Sequence, residues 1–355
     1  MQARDDLPGM IMFDRRTFLA ASAGALGLGA PPLAAQSALA VRVGFVPVIG
    51  ASALFVLAGD GSARAAGLNL TLSKFDSGPN AIQAFASGTI DILVIGVAPV
   101  AVARSRGFET LVISAAATGG SAFAAGPVLA KAFADHGGDP AKAFAAFRSA
   151  QGRKAKLGTL PPGGVPTVAL HHWLWKVGKV DRADVEIANM GIEVVQQAML
   201  AGAIDGGTLL EPSATLVTER DPRIRRIVNS PGMFPNIPGV VVAASGAFLK
   251  SQAQAAERFV GLFVQATEIV AKDPARAAPH VLAVLGGGLV AEATIARALA
   301  SPAVSYVNDP RAIRVATEAL LAYQVELGDF QRAPSTDGLF DQALYDRAVK
   351  AAAGR

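Results

Sequence analysis

An internal repeat limits what this chain can fold into more than any other feature. One segment begins VRVGFVP at Val41, carries ASGTIDILVIGVAP, and ends at Pro99. A second begins AKLGTLP at Ala155, carries LAGAIDGGTLLEP, and ends at Pro212. At an offset of 114 residues Gly44 falls on Gly158, Pro47 on Pro161, and Gln83-Ala84 on Gln197-Ala198. Gly88-Thr89-Ile90-Asp91 falls on Gly202-Ala203-Ile204-Asp205 in the same gapless register, and only the closing prolines slip by one. A unit written twice implies two lobes of one design.

Each copy alternates short β-rich runs with helical periodicity. The first predicts strands at 42–46, 68–73 and 90–95 and helices at 51–58, 81–87 and 100–105. The second predicts strands at 156–159, 185–189 and 205–210 and helices at 167–177, 194–201 and 213–219. Strands alternating with helices imply parallel sheets covered on both faces. The fold class expected is therefore α/β, two Rossmann-like lobes joined by a two-strand hinge. The β-rich runs TLVISAAA (110–117) and GVVVAA (239–244) supply the hinge. Residues 41–117 and 245–355 are expected as the first lobe and 118–238 as the second. After the second crossing the chain returns as helices at 251–271, 275–285, 291–299, 310–327 and 341–352, with SPAVSYVNDP (301–310) as a loop.

The 355 residues suffice for two cores. With 52% hydrophobic residues and 17% charged, the chain reads as globular rather than disordered. A net charge of +4 without a dense Lys/Arg run gives no footprint for nucleic acid. The most basic stretch, RDPRIRR (220–226), reads as a solvated surface turn. The absence of cysteine excludes disulfides, thiol nucleophiles, Cys–Zn sites and a lipoprotein anchor. The N-terminus reads DRRTFLAASAGALGLGAPPLAAQSALA from Asp14. Arg15-Arg16 followed by Phe18-Leu19 and a weakly apolar stretch resembles a twin-arginine export signal. Residues 1–40 are assigned to it, with cleavage after Ala35 or Ala40. The apolar stretch is short for a membrane span, so the mature protein is expected to be periplasmic and not a lipoprotein.

In open α/β sheets ligands sit beyond the carboxyl ends of strands, where helix N-termini expose unpaired N–H groups. Four strand-to-helix turns meet this description: 48–52, 96–99, 163–167 and 211–213. Pro99, Pro166 and Pro212 mark the helix starts. The turns contain small uncharged residues, so an anion there would be held by backbone N–H groups and dipoles rather than by an ion pair. An apolar ligand suits them almost as well. The expected ligand residues are Ile49, Gly50, Ser52, Gly96, Val97, Ala98, Thr118, Gly163, Gly164, Val165, Thr167, Met190 and Glu211.

These motifs in order, QAFASGTIDI (83–92), GVAP (96–99), LPPGGVPT (160–167) and AGAIDGGTLLEP (201–212), resemble the substrate-binding proteins of ABC importers of the nitrate/sulfonate/taurine type. The resemblance runs to STDGLFDQALYDRAV at 335–349. It implies the type II periplasmic binding fold and a monomer that closes on a small organic ligand. It also implies partnership with a membrane permease and its ATPase, with no cofactor. A sulfonate- or taurine-like anion is the leading ligand class. The Val48-Ile49 turn lacks the family's frequent aromatic or charged partner, which keeps an apolar carboxylate, aromatic or heterocycle open. Ligand sensing remains an alternative to import. Enzymes of similar fold use a cysteine-rich iron motif that this chain does not have.

The remaining candidates weigh against catalysis. His171 and His172 are adjacent on a helix and project about 100° apart, unlike an i,i+4 metal pair, so both read as packing or surface residues. GGVPT lacks the lysine of a nucleotide loop. Glu211 stands evenly between a carboxylate at a helix start and a cleft contact. Trp173 and Trp175 cannot share a face, so one belongs to the core. Asp91 and Asp205 read as turn residues at the amino ends of strands. Thr118-Gly119-Gly120-Ser121 reads as either a cleft contact or a plain loop.

Overall fold

The structure, a computed structural model, describes residues 38–286 and 290–354. The twin-arginine motif therefore lies outside the described residues. Along the chain the strands are β1 (Leu39–Phe45), β2 (Leu68–Lys74), β3 (Ile92–Ile95), β4 (Thr110–Gly119), β5 (Ser121–Ala125) and β6 (Ala155–Thr159). They continue as β7 (Val185–Asn189), β8 (Gly206–Leu210), β9 (Arg225–Asn229), β10 (Pro238–Ser245) and β11 (Val304–Tyr306). They form a six-stranded sheet, β11-β4-β10-β3-β1-β2, and a five-stranded sheet, β7-β6-β8-β5-β9.

The repeat is visible in the pairing. β2-β1-β3 and β7-β6-β8 are equivalent parallel triplets. Asp91 Oδ2 accepts from Arg42 N at 2.9 Å, and Asp205 Oδ2 accepts from Lys156 N at 2.8 Å. The backbone of each aspartate donates back to the same partner, Arg42 O or Lys156 O, at 2.8 Å. The two carboxylates are also held by Arg42 and Arg153. Each, placed just before β3 or β8 begins, thus satisfies an N–H of the neighbouring strand that would otherwise be unpaired. The repeated glycines answer the repeated isoleucines. A Cβ on Gly44 would lie 3.2 Å from Ile90, and one on Gly158 would lie 2.7 Å from Ile204. The glycine lets the isoleucine of the same copy pack flat against the strand.

The sheets are not wholly parallel, contrary to the simple alternation argument. β10 runs antiparallel between β3 and β4, and β11 runs antiparallel to β4. β5 runs antiparallel between β8 and β9. Of these, β5 and β10 are the strands on which the chain enters one sheet from the other. A chain that arrives from the other sheet has no helical crossover to reverse its direction, so antiparallel pairing follows. Three expectations change here. TGGS is the junction between β4 and β5, not a loop. Residues 301–310 contain β11, not loop alone. Arg225 and Arg226 begin β9, not a surface turn.

The first passage between the sheets is two glycines long. Gly119 has φ +71°, and a Cβ there would lie 2.3 Å from Ala303 O. Gly120 has φ +92° and donates to Ala303 O at 2.6 Å. The return passage runs through the short helix Ser230–Met233. Ser230 Oγ accepts from Ser121 N at 2.8 Å and donates to Ser121 O at 2.5 Å, which ties the two passages together.

Helices cover both sheets, and their boundaries differ from expectation mainly at N-termini. The helix after β3 begins at Val97 behind the N-cap Gly96, so Pro99 lies inside its first turn. The helix after β6 begins at Val165 with Pro166 second. It runs to His172 and continues through Trp173–Val177 as a wider turn closed by Gly178 N to Trp173 O at 2.7 Å. The helix after β8 begins at Ser213, behind Pro212, whose peptide bond to Glu211 is cis. The helices Pro127–Asp135 and Pro140–Gln151 fall where the repeat predicts nothing. They complete an aromatic cluster with Phe123, Phe133 and Phe144 around Trp173, whose ring centroid lies 4.7 Å from that of Phe123. Trp175 is half-buried under the Arg182 guanidinium. Among the described residues no helix is long and apolar enough to cross a membrane.

Candidate ligand-binding cleft

The carboxyl ends of the two parallel triplets face a common cleft, and the turns beyond them touch. Ile49 N, from the turn after β1, donates to Glu211 O, from the turn after β8, at 3.0 Å. A Cβ on Gly96 would lie 3.1 Å from Val165 Cγ2. Side chains add to this closure. Lys74 pairs with Glu193 at 2.9 Å, and Lys176 pairs with Glu326. Glu219 accepts from Thr294 Oγ1 at 2.7 Å and from Arg297 Nε at 2.5 Å.

A cavity of about 60 Å³ remains between the turns. Val46, Val48 and Gly50 line it from the turn after β1, and Ile95, Gly96 and Pro99 from the turn after β3. Leu160, Gly164, Val165 and Pro166 line it from the turn after β6, and Leu210 from the end of β8. Gly78 opens the helix Gly78–Ala86, and Gly119, Gly120, Ser121, Gly239 and Val240 come from the crossing strands. No charged side chain appears among these residues. The glycines bring backbone to the surface of the cavity. A Cβ on Gly78 would lie 2.6 Å from Pro99, and one on Gly239 would lie 2.3 Å from Gly119 O.

The structure thus brings Gly50, Gly96, Gly164 and Val165 together on one cavity and places the other expected residues elsewhere. Ile49, Val97 and Ala98 are buried behind the wall. Ser52 is buried with its hydroxyl unpaired among the described residues. Thr118 pairs with Pro238 in the sheet. Met190 packs near the Cβ position of Gly158. The Thr167 hydroxyl donates to Leu160 O at 2.6 Å and Pro161 O at 3.2 Å, so it closes the turn that displays Gly164 and Val165. Gly163 lines an adjoining cavity of about 390 Å³ that shares Pro99 with the first.

Glu211 is fully buried. Its Oε2 accepts from Thr215 N at 3.0 Å, and its Oε1 accepts from Arg226 Nη2 and Ser301 Oγ, each at 2.6 Å. It caps a helix, as one of its two readings anticipated, and it also joins the two sheets' bodies through Ser301. Nearby Tyr306 is driven strongly upward in pKa by burial and then by the Glu211 charge. His172 Nδ1 sits 2.7 Å from Met233 O, between the rings of Phe234 and Tyr323. The pKa of His171 is lowered by burial, against an opposing pull from Asp329. Among the described residues no group of three or more His, Asp or Glu gathers as a metal site.

Sequence reasoning missed Gly78, Gly239 and Val240 as wall residues, while Gly119, Gly120 and Ser121 belong to the Thr118–Ser121 stretch that reads in sequence as either a cleft contact or a plain loop. The signal at Gly78 was Ser77-Gly78-Pro79, a capped helix start in which Ser77 Oγ accepts from Asn80 N at 3.4 Å. Gly239 carried no signal, because its neighbours come from a strand far away in sequence.

Two mixed sheets, equivalent parallel triplets and a cleft at their carboxyl ends define the type II periplasmic binding fold. The chain belongs to the NMT1-like family, whose model matches residues 34–284. The structure is similar to the periplasmic nitrate-binding protein NrtA from Synechocystis PCC 6803, with TM-score 0.74, 14% identity, and 88% of each chain covered. It is similar to the ligand-binding component of an ABC-type import system from Staphylococcus aureus, solved with zinc bound. There the TM-score is 0.72 and identity 14%, covering 87% of this chain and 99% of that one. The aliphatic sulphonate binding protein SsuA from Escherichia coli gives a TM-score of 0.65 at 14% identity, with 87% and 99% covered. No curated protein matches the sequence.

Proposed function

We propose that this chain is the solute-binding component of an ABC importer, exported to the periplasm, which closes two lobes on a small organic ligand and presents it to a permease and its ATPase. The observation that carries this reading is the cleft itself: three strand-to-helix turns, two from the first copy of the repeat and one from the second, converge with the end of β8 on one glycine-walled cavity. Residues 41–117 with 245–355 form one lobe and residues 118–238 the other. The crossings at Gly119–Ser121 and 229–238 act as the hinge. Closure is an equilibrium that the ligand biases by binding the closed state better. The similar nitrate and sulphonate proteins support the importer role. The uncharged wall favours a ligand with an apolar body over a bare anion, which makes a sulfonate- or taurine-like anion the alternative. β1 begins at Leu39 and pairs with Leu68 and Asn69 from its first residues. Cleavage after Ala35 leaves this strand whole, whereas cleavage after Ala40 removes two of its residues.

The closed cavity of about 60 Å³ is well under the ~150 Å³ of a cavity that admits benzene. An organic ligand must therefore also use the adjoining cavity or hold the lobes slightly apart. The test is thermal unfolding with nitrate, taurine, n-butanesulfonate and pyridine, repeated on Val165→Trp, which fills the cavity. A ligand at ~100 times its Kd should stabilise the protein by about 2.7 kcal/mol, and Val165→Trp should abolish the shift. A shift that survives Val165→Trp places binding outside the cleft and sinks this reading.

A further inference from the structure

The adjoining cavity contains a buried acceptor without a donor. Gln324 lies near the end of the helix Arg314–Glu326, is fully buried, and lines this cavity with Asp329 and Phe330. Gln324 Nε2 donates to Asp329 Oδ2 at 3.1 Å, and Asp329 N donates to Gln324 O at 2.9 Å. A carboxylate only accepts, so the amide must turn its nitrogen toward Asp329. That orientation leaves Gln324 Oε1 buried with no hydrogen bond from any described residue. A buried unpaired acceptor is costly, and such atoms in folded proteins call for an explanation. The lining also includes the apolar Pro79, Ile82, Val102 and the shared Pro99, with Gln83 and Ser105 as neutral polar groups. The cavity's guanidinium, Arg106, is exposed, where water and salt screen it.

We propose that this cavity receives the nitrogen end of the ligand, an organic ammonium or amidinium whose N–H groups bond Gln324 Oε1 and the Asp329 carboxylate. The apolar body of the same molecule then passes Pro99 into the glycine-walled cavity. This rests on the reading of the cleft as the ligand site and adds the chemical class of the ligand. Adjacent acceptors suit a group that carries several donors, and they repel an anion.

The test is calorimetric titration of the mature protein with n-butylammonium chloride and sodium n-butanesulfonate, which share one alkyl chain. The ammonium should bind at least about tenfold more tightly. Asp329→Asn, at an exposed position, should weaken ammonium binding about tenfold and leave the sulfonate unchanged. Gln324→Leu should do the same, with its unfolding midpoint measured to verify the fold. Tighter binding of the sulfonate overturns the proposal. So does failure of the ammonium to bind, or indifference of ammonium binding to both substitutions. Val165→Trp separates the two readings. If ammonium binding survives it but falls in Asp329→Asn, this site stands and the cleft reading fails. If only the sulfonate binds and Val165→Trp abolishes that, the cleft reading stands and this one fails.

Discussion

Glu211 is a carboxylate with no solvent exposure, held by a backbone N–H, a guanidinium and a hydroxyl. Removing one member of such a group leaves its partner buried and unpaired. Glu211→Ala should therefore destabilise the protein by about 3 kcal/mol or more, read from urea unfolding midpoints. A change under ~0.5 kcal/mol, the range of ordinary surface substitutions, would contradict the network's role. The sequence left Glu211 evenly between a helix carboxylate and a cleft role such as an inter-lobe bond, and it concealed the partners. Arg226 sat in a stretch that composition marks as solvated, and Ser301 is 90 residues away. Periodicity reports which face of an element is apolar and says nothing about which distant polar group will meet it. Asp91 and Asp205 were more legible. Their register in the repeat placed both at strand starts, and both hold the backbone N–H at the equivalent position of the neighbouring strand.

Among the elements, those inside the repeat, the crossing strands β4 and β10 and the C-terminal helices were legible, whereas β5, β9, β11 and the helices Pro127–Asp135 and Pro140–Gln151 were not. β5, with sequence SAFAA, is fully buried but lacks the β-branched residues that mark a strand. β11 is three residues long and exists through its pairing with the end of β4. Such strands are made by their neighbours. The helix after β6 gives the opposite lesson. Its histidines drew notice, but its structural anchor is Trp173, packed against three phenylalanines from β5 and the two helices that follow it. Trp173→Ala should cost about 3–5 kcal/mol by opening a cavity in this cluster, whereas truncating the half-buried Trp175 should cost much less. Equal losses from the two substitutions, compared by chemical denaturation, would refute that division.

For the molecule as a whole, the polar links across the cleft carry a pH dependence. The pKa of Glu219 is lowered chiefly by its hydrogen bond from Arg297, helped by Thr294. A carboxyl group depressed in the folded state contributes stability that is full above its ordinary value near 4.5. That contribution is lost as the pH falls through the lower value held in the fold. Wild type should therefore lose more stability than Glu219→Gln between pH 6 and pH 3.5 when unfolding midpoints are compared. Parallel declines would show that the bond is screened into insignificance. The two-sheet plan was legible at this scale because a repeat is a global property of the sequence. The composition of the cleft was half legible: the turns were found from Gly and Pro, but which residues reach the cavity depends on how closely the turns approach.

The place of β10 in the first sheet has a consequence for the order in which the molecule can be made. β10 lies between β3 and β4, so residues 92–95 and 110–119 cannot become neighbours of one finished sheet until residue 245 has been synthesised. By then every strand of the five-stranded sheet has been synthesised. The second half of the repeat is thus free to fold while the first still waits with an open edge on β3. In a nascent chain of this design the first sheet, which takes in β10 and β11, is completed after the second. Slow, long-range pairing of this kind keeps the start of the chain unfinished until synthesis is well advanced.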